Sequence, residues 1–214
     1  MYVGRIVAIG QTTDGRLAAL YRVSSRSFPN RVAQVNGTTV SIVPKEGFEA
    51  DIRKNPYISY HCLRTVGTYA VATNGSHTDP ITEKLASGMG MRDAMVYALG
   101  GLDYEHDDYN TPRIAAVADS KTRRCAIGIV RSDALLVREL DLPKGVLRYV
   151  ATYEHDSPDD AYGESDWKIQ SAVEGCAYIL GKGVFADLER PIVAACAIEE
   201  EKTFSVAVQE AGAR

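Results

Sequence analysis

The sequence predicts an α+β fold in one domain over residues 1–214. Short, nearly continuous apolar runs such as Ile6-Val7-Ala8-Ile9 suit strands covered on both faces. Their order gives strand hairpins, a helical pair, a strand meander, one helix and a last hairpin. No internal repeat or low-complexity linker divides the chain. Two sheets with helices outside them would bury such strands well.

Tyr2 to Ile9 reads as the first strand, Asp14-Gly15 as a turn and Leu17 to Val23 as the returning strand. Val40 to Val43 is a short strand stopped by Pro44. Tyr57 to Leu63 and Thr68 to Thr73 form a second hairpin joined near Val66-Gly67. Asp79-Pro80 pairs an N-cap with a first-turn proline, so a helix carrying Ile81 and Leu85 on one face should run toward Gly88. A second helix, Met91 to Leu99, has Ala94, Met95, Ala98 and Leu99 as its stripe, with Gly100-Gly101 as its stop. Strands return at Ile114–Val117, Cys125–Val130, Ala134–Leu140 and Val146–Thr152. Trp167 to Leu180 reads as a helix with Ala172, Cys176, Ile179 and Leu180 inward. Pro191–Ile198 and Thr203–Val208 close the chain as strands.

The 214 residues are 45% hydrophobic and 24% charged, ordinary for a globular protein large enough for a real core. No apolar run approaches membrane-spanning length and no signal-peptide pattern opens the chain. Cys62, Cys125, Cys176 and Cys196 are scattered without a CxxC pair, which reads as reduced core cysteines in a cytoplasmic protein. The net charge of −4 hides an asymmetry: residues 1–31 carry five arginines, no lysine and one acid, Asp14. From Ala151 onward thirteen acids face five basic residues. Local, arginine-only positive charge suits one small anion better than a nucleic acid. Neither nucleic acid nor membrane is expected as a partner, while the apolar strands and acidic tail allow a homo-oligomer.

Tyr21 to Arg31 is the densest candidate site. It places Arg22, Arg26 and Arg31 with Ser24, Ser25 and Ser27 where a strand runs into a loop, and Pro29-Asn30 then turns the chain. Guanidinium forks and hydroxyls together fit phosphate oxygens, so the stretch reads either as an anion clamp or as a solvated turn. Asn74-Gly75-Ser76-His77, between a strand and a capped helix, reads as a ligand-approach turn or as a β-to-helix turn whose Asn and Ser only satisfy the backbone. The stretch Asp103 to Arg113 crowds titratable groups, which suits an acid–base role or a solvated acidic loop. A metal on Glu105, His106, Asp107 and Asp108 lacks ligand spacing. His61 alternates with Tyr60 in a strand, and His155 lies in a polar loop. The absence of GxSxG, P-loop and GxGxxG patterns weighs against the corresponding hydrolase and nucleotide folds. Met1-Tyr2 leaves no Ser, Thr or Cys placed to become a terminal nucleophile.

Six ordered blocks resemble the archaeal-type inosine monophosphate (IMP) cyclohydrolases. They are Met1-Tyr2-Val3-Gly4-Arg5, Tyr21 through Arg31, Asn55 through Tyr60, Asn74-Gly75-Ser76-His77-Thr78-Asp79, Asp103-Tyr104-Glu105 and Asn110 through Ala115. They span the first half of the chain; the second half has no diagnostic motif. The resemblance implies a four-layered αββα sandwich like that of N-terminal nucleophile hydrolases, without the terminal nucleophile. It implies closure of 5-formamidoimidazole-4-carboxamide ribotide to IMP and water, the last step of de novo purine synthesis, with no metal or organic cofactor. The carboxamide nitrogen attacks a formyl carbon of the same molecule, so positioning, proton removal, donors to the formyl oxygen and an acid for dehydration are needed. By the resemblance, Glu105 is the proton shuttle, Tyr60 the donor to the formyl oxygen and Arg31 the orienting charge. Ser24, Arg26 and Ser27 would hold the phosphate or ribose. Asn74, Gly75 and Ser76 would meet the base or carboxamide, and Asn110, Thr111 and Arg113 are further binding candidates. An amide hydrolase on the same fold and a non-catalytic purine-nucleotide-binding module are the competing readings.

Overall fold

A computed structural model describes residues 1–201 and 203–212. The first apolar run forms β1 (Ile6–Gln11), which returns through Asp14-Gly15 as β2 (Leu17–Ser24), with Ile6 opposite Arg22 and Gln11 opposite Leu17. The chain continues as β3 (Arg31–Asn36), β4 (Thr39–Pro44), a one-turn helix α1 (Asp51–Lys54), β5 (Tyr60–Val66) and β6 (Tyr69–Thr73). Helices α2 (Thr78–Ala86) and α3 (Met91–Leu102) precede β7 (Arg113–Asp119), β8 (Arg124–Val130), β9 (Leu135–Leu140), β10 (Val146–Ala151) and the short β11 (Gly163–Glu164). Helix α4 (Ala172–Gly181), β12 (Pro191–Glu200) and β13 (Thr203–Glu210) complete it.

These strands form two antiparallel sheets, in the orders β11-β10-β1-β2-β12-β13 and β3-β4-β5-β6-β7-β8-β9. Alternation along each strand decides what each face buries. In β2, Leu17, Ala19, Tyr21 and Val23 join an apolar cluster shared with Ile42, Tyr60, Cys62 and Ile114 of the other sheet. The intervening Ala18 and Leu20 pack instead with Cys176, Ile179 and Leu180 of α4. The outer side of the second sheet, with Val71, Ala115 and Val117, receives Ile81 and Leu85 of α2 and Met95 and Leu99 of α3. Each fully buried Leu, Ile or Val contributes roughly 1.5–3 kcal/mol of transfer free energy, so these clusters drive the assembly. Among the described residues the architecture is α+β, with two antiparallel sheets and four helices. No helix among the described residues is long and apolar enough to cross a membrane. The four cysteines are free and buried.

Three element boundaries differ from the sequence reading. Helix α2 begins at Thr78, before Asp79, because the Asp79 carboxylate accepts bonds from Arg64 Nη1 at 2.6 Å and pairs with His61 Nδ1 at 2.9 Å instead of capping. Helix α3 passes through Gly100-Gly101 and stops at Asp103, whose φ is 58°. The cost of two helical glycines, roughly 1 kcal/mol each, is offset by the buried Ala94-Met95-Ala98-Leu99 stripe. Helix α4 starts at Ala172, capped by Ser171 Oγ accepting from the Glu174 N–H. Trp167 lies outside that helix and packs over Gly10, where a Cβ would come within 2.5 Å of the indole ring.

Candidate active site

The candidate residues collect at one end of the two-sheet stack. Arg5 precedes β1, Tyr21 lies near the end of β2, and Arg31, Tyr60 and Arg113 open β3, β5 and β7. Gly75 and His77 follow β6, Tyr153 follows β10, and Glu105 precedes β7. Because neighbouring strands run antiparallel, these starts and ends fall at the same edge of their sheets.

Tyr21 and Tyr60 meet across the gap between the sheets, hydroxyl to hydroxyl at 2.5 Å, with their rings edge to face. Burial pushes the Tyr60 phenol above its ordinary range, and Arg31, Arg5 and the Tyr21 bond pull it part of the way back. Burial, then the neighbouring Tyr60, raises Tyr21 further. Arg31 is buried, and its Nε donates to the Phe28 carbonyl at 3.1 Å, which fixes the guanidinium beside the phenols.

Glu105 is 1% exposed and is held by its loop. Asp107 Oδ1 accepts from the Tyr109 and Thr111 N–H groups, Asp107 Oδ2 accepts from the Thr111 hydroxyl, and the Glu105 N–H donates to the Thr111 carbonyl. These bonds aim the Glu105 carboxyl inward, where Oε2 accepts from Arg5 Nη2 at 2.8 Å. Oε1 lies 3.9 Å from Arg113 Nη1. Burial raises the Glu105 carboxyl above the usual carboxylate range despite Arg5, Arg113 and Arg31, and Asp107 adds to the rise. Burial disfavours the charge on Arg5, but Glu105 and then the phenols Tyr60, Tyr21 and Tyr153 hold its pKa above the ordinary arginine value. A buried carboxyl whose two protonation states are brought closer in energy can give and take a proton near neutral pH.

The turn after β6 supports the same end. Asn74 is fully buried and ties the turn to β7: its Nδ2 donates to the Pro112 carbonyl at 2.9 Å and its Oδ1 accepts from the Ile114 N–H at 2.7 Å. His77 is also fully buried, and its Nε2 meets the Ile114 carbonyl at 2.9 Å. Burial, with Arg113 adding, lowers its pKa from 6.5 to about 3, so the ring is neutral.

The sequence-derived candidates divide into two groups. Arg31, Tyr60, Glu105, Gly75 and Arg113 come together at this buried end. Ser24, Arg26, Ser27, Asn74, Ser76, Asn110 and Thr111 lie beside it or serve it. Ser24 Oγ points to the α4 side and accepts from Arg22 Nε at 2.9 Å, while Arg22 donates to carbonyls of Ile179, Leu188 and Glu189. The alternation of β2 thus removes Arg22 and Ser24 from the face that carries Tyr21. Arg26 is exposed, stacks over Tyr2 at 4.2 Å and pairs with Glu189 at 3.2 Å. With Ser27, Tyr2, Tyr109 and Tyr153 it lines a cleft of about 160 Å³. Ser76 is exposed and shares a second cleft, of about 400 Å³, with Ser41, Ser59, Tyr60, His61 and Asp79. Asn110 is exposed, and Thr111 is occupied by Asp107 and the Tyr153 hydroxyl. Among the described residues no group of three or more His, Cys, Asp or Glu side chains is placed to hold a metal ion.

Arg5, Tyr21 and His77 are the site residues that the sequence reading did not single out. Parity offered a signal: with Val7 and Ile9 facing the gap between sheets, Arg5 falls on the same side, and Tyr21 shares a face with Leu17, Ala19 and Val23. No comparable pattern marks His77.

A buried acid braced by arginines at the same end as paired phenols is the arrangement of an acid–base enzyme. The chain belongs to the IMP cyclohydrolase-like family, whose model matches residues 2–203. It is 44% identical over 202 residues to an IMP cyclohydrolase of Methanosphaera stadtmanae, covering 94% of this chain and 96% of that one. Identity to an IMP cyclohydrolase of Methanocaldococcus jannaschii is 40% over 210 residues, with 98% and 99% coverage. With one of Halobacterium salinarum it is 48% over 159 residues, covering 74% and 76%.

Proposed function

We propose that this chain is an IMP cyclohydrolase, closing 5-formamidoimidazole-4-carboxamide ribotide to IMP with release of water, with Glu105 as its proton shuttle. The observation that carries these roles is the buried Glu105 carboxyl, gripped on one oxygen by Arg5 at 2.8 Å, at the same end as the Tyr60 phenol.

In ring closure the carboxamide nitrogen forms a bond to the formyl carbon and gives a proton to the Glu105 carboxylate. Negative charge gathers on the formyl oxygen, where the Tyr60 hydroxyl donates and Arg31 supplies the orienting charge. Glu105 returns its proton to that oxygen, leaving a carbinolamine. In dehydration Glu105 takes the proton of the formamido nitrogen and passes it to the hydroxyl. The C–O bond breaks, a C=N bond forms, water leaves and the carboxylate is restored. Holding both arms of one molecule in reach supplies much of the acceleration.

The exposed Arg26 and Ser27 suit the phosphate at the rim, and Gly75, Ser76 and Arg113 suit the base and carboxamide. Asn74 and Thr111 support the site through the bonds already described, and Asn110 is a rim contact. The layer arrangement supports the αββα sandwich of the N-terminal nucleophile hydrolase type in a single domain, and four buried free cysteines suit the cytoplasm. Incubating the purified chain with the formamido ribotide tests the reaction. Inosinate is expected. Formate with the amino ribotide would mark an amide hydrolase, and inosinate binding without turnover a binding module.

A further inference from the structure

Among the described residues, four buried side-chain atoms at this end have no hydrogen-bond partner within the chain: Arg5 Nε, His77 Nδ1, Glu105 Oε1 and Arg113 Nη1. Three of them converge. A Cβ added at Gly75 would lie 2.6 Å from Arg113 Nη1, 3.3 Å from His77 Nδ1 and 3.5 Å from Glu105 Oε1. His77, Glu105 and Arg113 are 0%, 1% and 5% exposed, so bulk solvent cannot satisfy these atoms. Gly75 is not among the residues with positive φ, so its missing side chain matters here for space and not for backbone conformation.

The hydrogen-bonding chemistry of the three atoms is fixed. His77 Nε2 faces the Ile114 carbonyl, which only accepts, so Nε2 carries the proton. The ring is neutral, so Nδ1 presents a bare lone pair. Glu105 Oε1 is a second acceptor, and Arg113 Nη1 is a donor whose Nε is already committed to the Asp103 carbonyl at 2.8 Å. Two acceptors and one donor match a single water molecule, which donates twice and accepts once. Three bonds is the usual complement of a buried water.

We propose that Arg113 Nη1, His77 Nδ1 and Glu105 Oε1, which converge beside Gly75, share one bound water that fixes the orientation and acidity of the Glu105 carboxyl. His77 is then a positioning residue, acting on the reaction through the water and Glu105. A second hydrogen bond on the carboxyl group, on the oxygen that Arg5 does not hold, would stop it rotating away from Arg5. A water donating to Oε1 also favours the charged carboxylate, together with Arg5, Arg113 and Arg31 and against Asp107, the other charged groups that face Glu105. The effect on turnover, unlike the water itself, rests on Glu105 being the proton shuttle.

High-resolution crystallography of the unmodified chain tests the site. A density peak within hydrogen-bond distance of all three atoms is expected, and its absence overturns the proposal whatever the enzyme does. The kinetic consequence is read from the pH profile of kcat in two variants. His77→Gln keeps an amide donor for the Ile114 carbonyl but takes the acceptor away from the Nδ1 position, and Gly75→Ala crowds Arg113 Nη1 and His77 Nδ1. Both are expected to move the acid limb to higher pH by about one unit, the size of one lost hydrogen bond to the carboxylate. KM should stay within about threefold in His77→Gln. Lowered stability with an unmoved limb in both variants would reduce His77 to a packing role and overturn the link to Glu105. Inosinate formation by the unmodified chain, measured in the same series, tests the cyclohydrolase assignment separately.

Discussion

The Tyr21 hydroxyl of one sheet stands 2.5 Å from the Tyr60 hydroxyl of the other. Only one phenol can donate in that bond, so Tyr21 accepting from Tyr60 would occupy the proton that Tyr60 needs for the substrate, whereas Tyr21 donating to Tyr60 leaves that proton free. The second arrangement suits the proposed role. Tyr21→Phe is expected to lower kcat by roughly tenfold, the worth of one buried hydrogen bond, with KM within about twofold. Steady-state kinetics of inosinate formation checks this, and an unchanged kcat would detach Tyr21 from the chemistry.

Arg5 braces the buried Glu105 carboxyl. Arg5→Gln leaves the carboxylate short of its nearest counter-charge, so stability at neutral pH is expected to fall by roughly 3 kcal/mol. Near pH 5 the loss should be smaller, because the carboxyl escapes the penalty by taking up a proton. Urea denaturation at the two pH values measures the difference.

Both the segment from Tyr21 to Arg31 and the stretch around Glu105 stood out in the sequence because arginines, hydroxyls and acids are dense there. Density did not reveal direction. Arg22 and Arg31 lie in one motif, yet the alternation of β2 sends Arg22 to the α4 layer while Arg31 opens β3 at the mouth between the sheets. The core strands were legible because burial on both faces makes them continuously apolar. Strand β3 was not, since Gln34, Val35 and Asn36 are exposed and present no alternation. The glycines of α3 misled for a related reason: propensity is local, whereas the stripe that holds the helix on its sheet is not. His77 stood in the Asn74-Gly75-Ser76-His77 stretch without a role, because its role depends on Gly75, Glu105 and Arg113, which converge only in the fold.

Acid should find His77 before it finds most of the core. Its pKa is about 3 in the folded chain against 6.5 for a free imidazole, so the unfolded chain binds more protons between those values. Stability from this group is therefore complete above about pH 6.5 and declines as pH falls through that window. Between pH 6.5 and about 4.5 the unmodified chain should lose roughly 2–3 kcal/mol more than His77→Gln. Denaturant titrations of both proteins at each pH would show it. Parallel pH dependence would mean that His77 does not titrate on unfolding.

Arg26 is exposed at the rim, where its guanidinium lies over the Tyr2 ring. If it holds the phosphate, Arg26→Ala removes binding made equally in substrate and transition state. KM should rise by roughly tenfold or more with kcat little changed. A fall in kcat alone would move Arg26 out of the phosphate site.

Turnover of Glu105→Gln is the most direct measurement. Glutamine keeps the size and one acceptor oxygen of the side chain but cannot carry the proton through ring closure and dehydration. Inosinate formation is expected to slow by roughly 10²–10⁴-fold with substrate affinity within a few-fold. A variant that turns over at the unmodified rate would contradict the proposed shuttle.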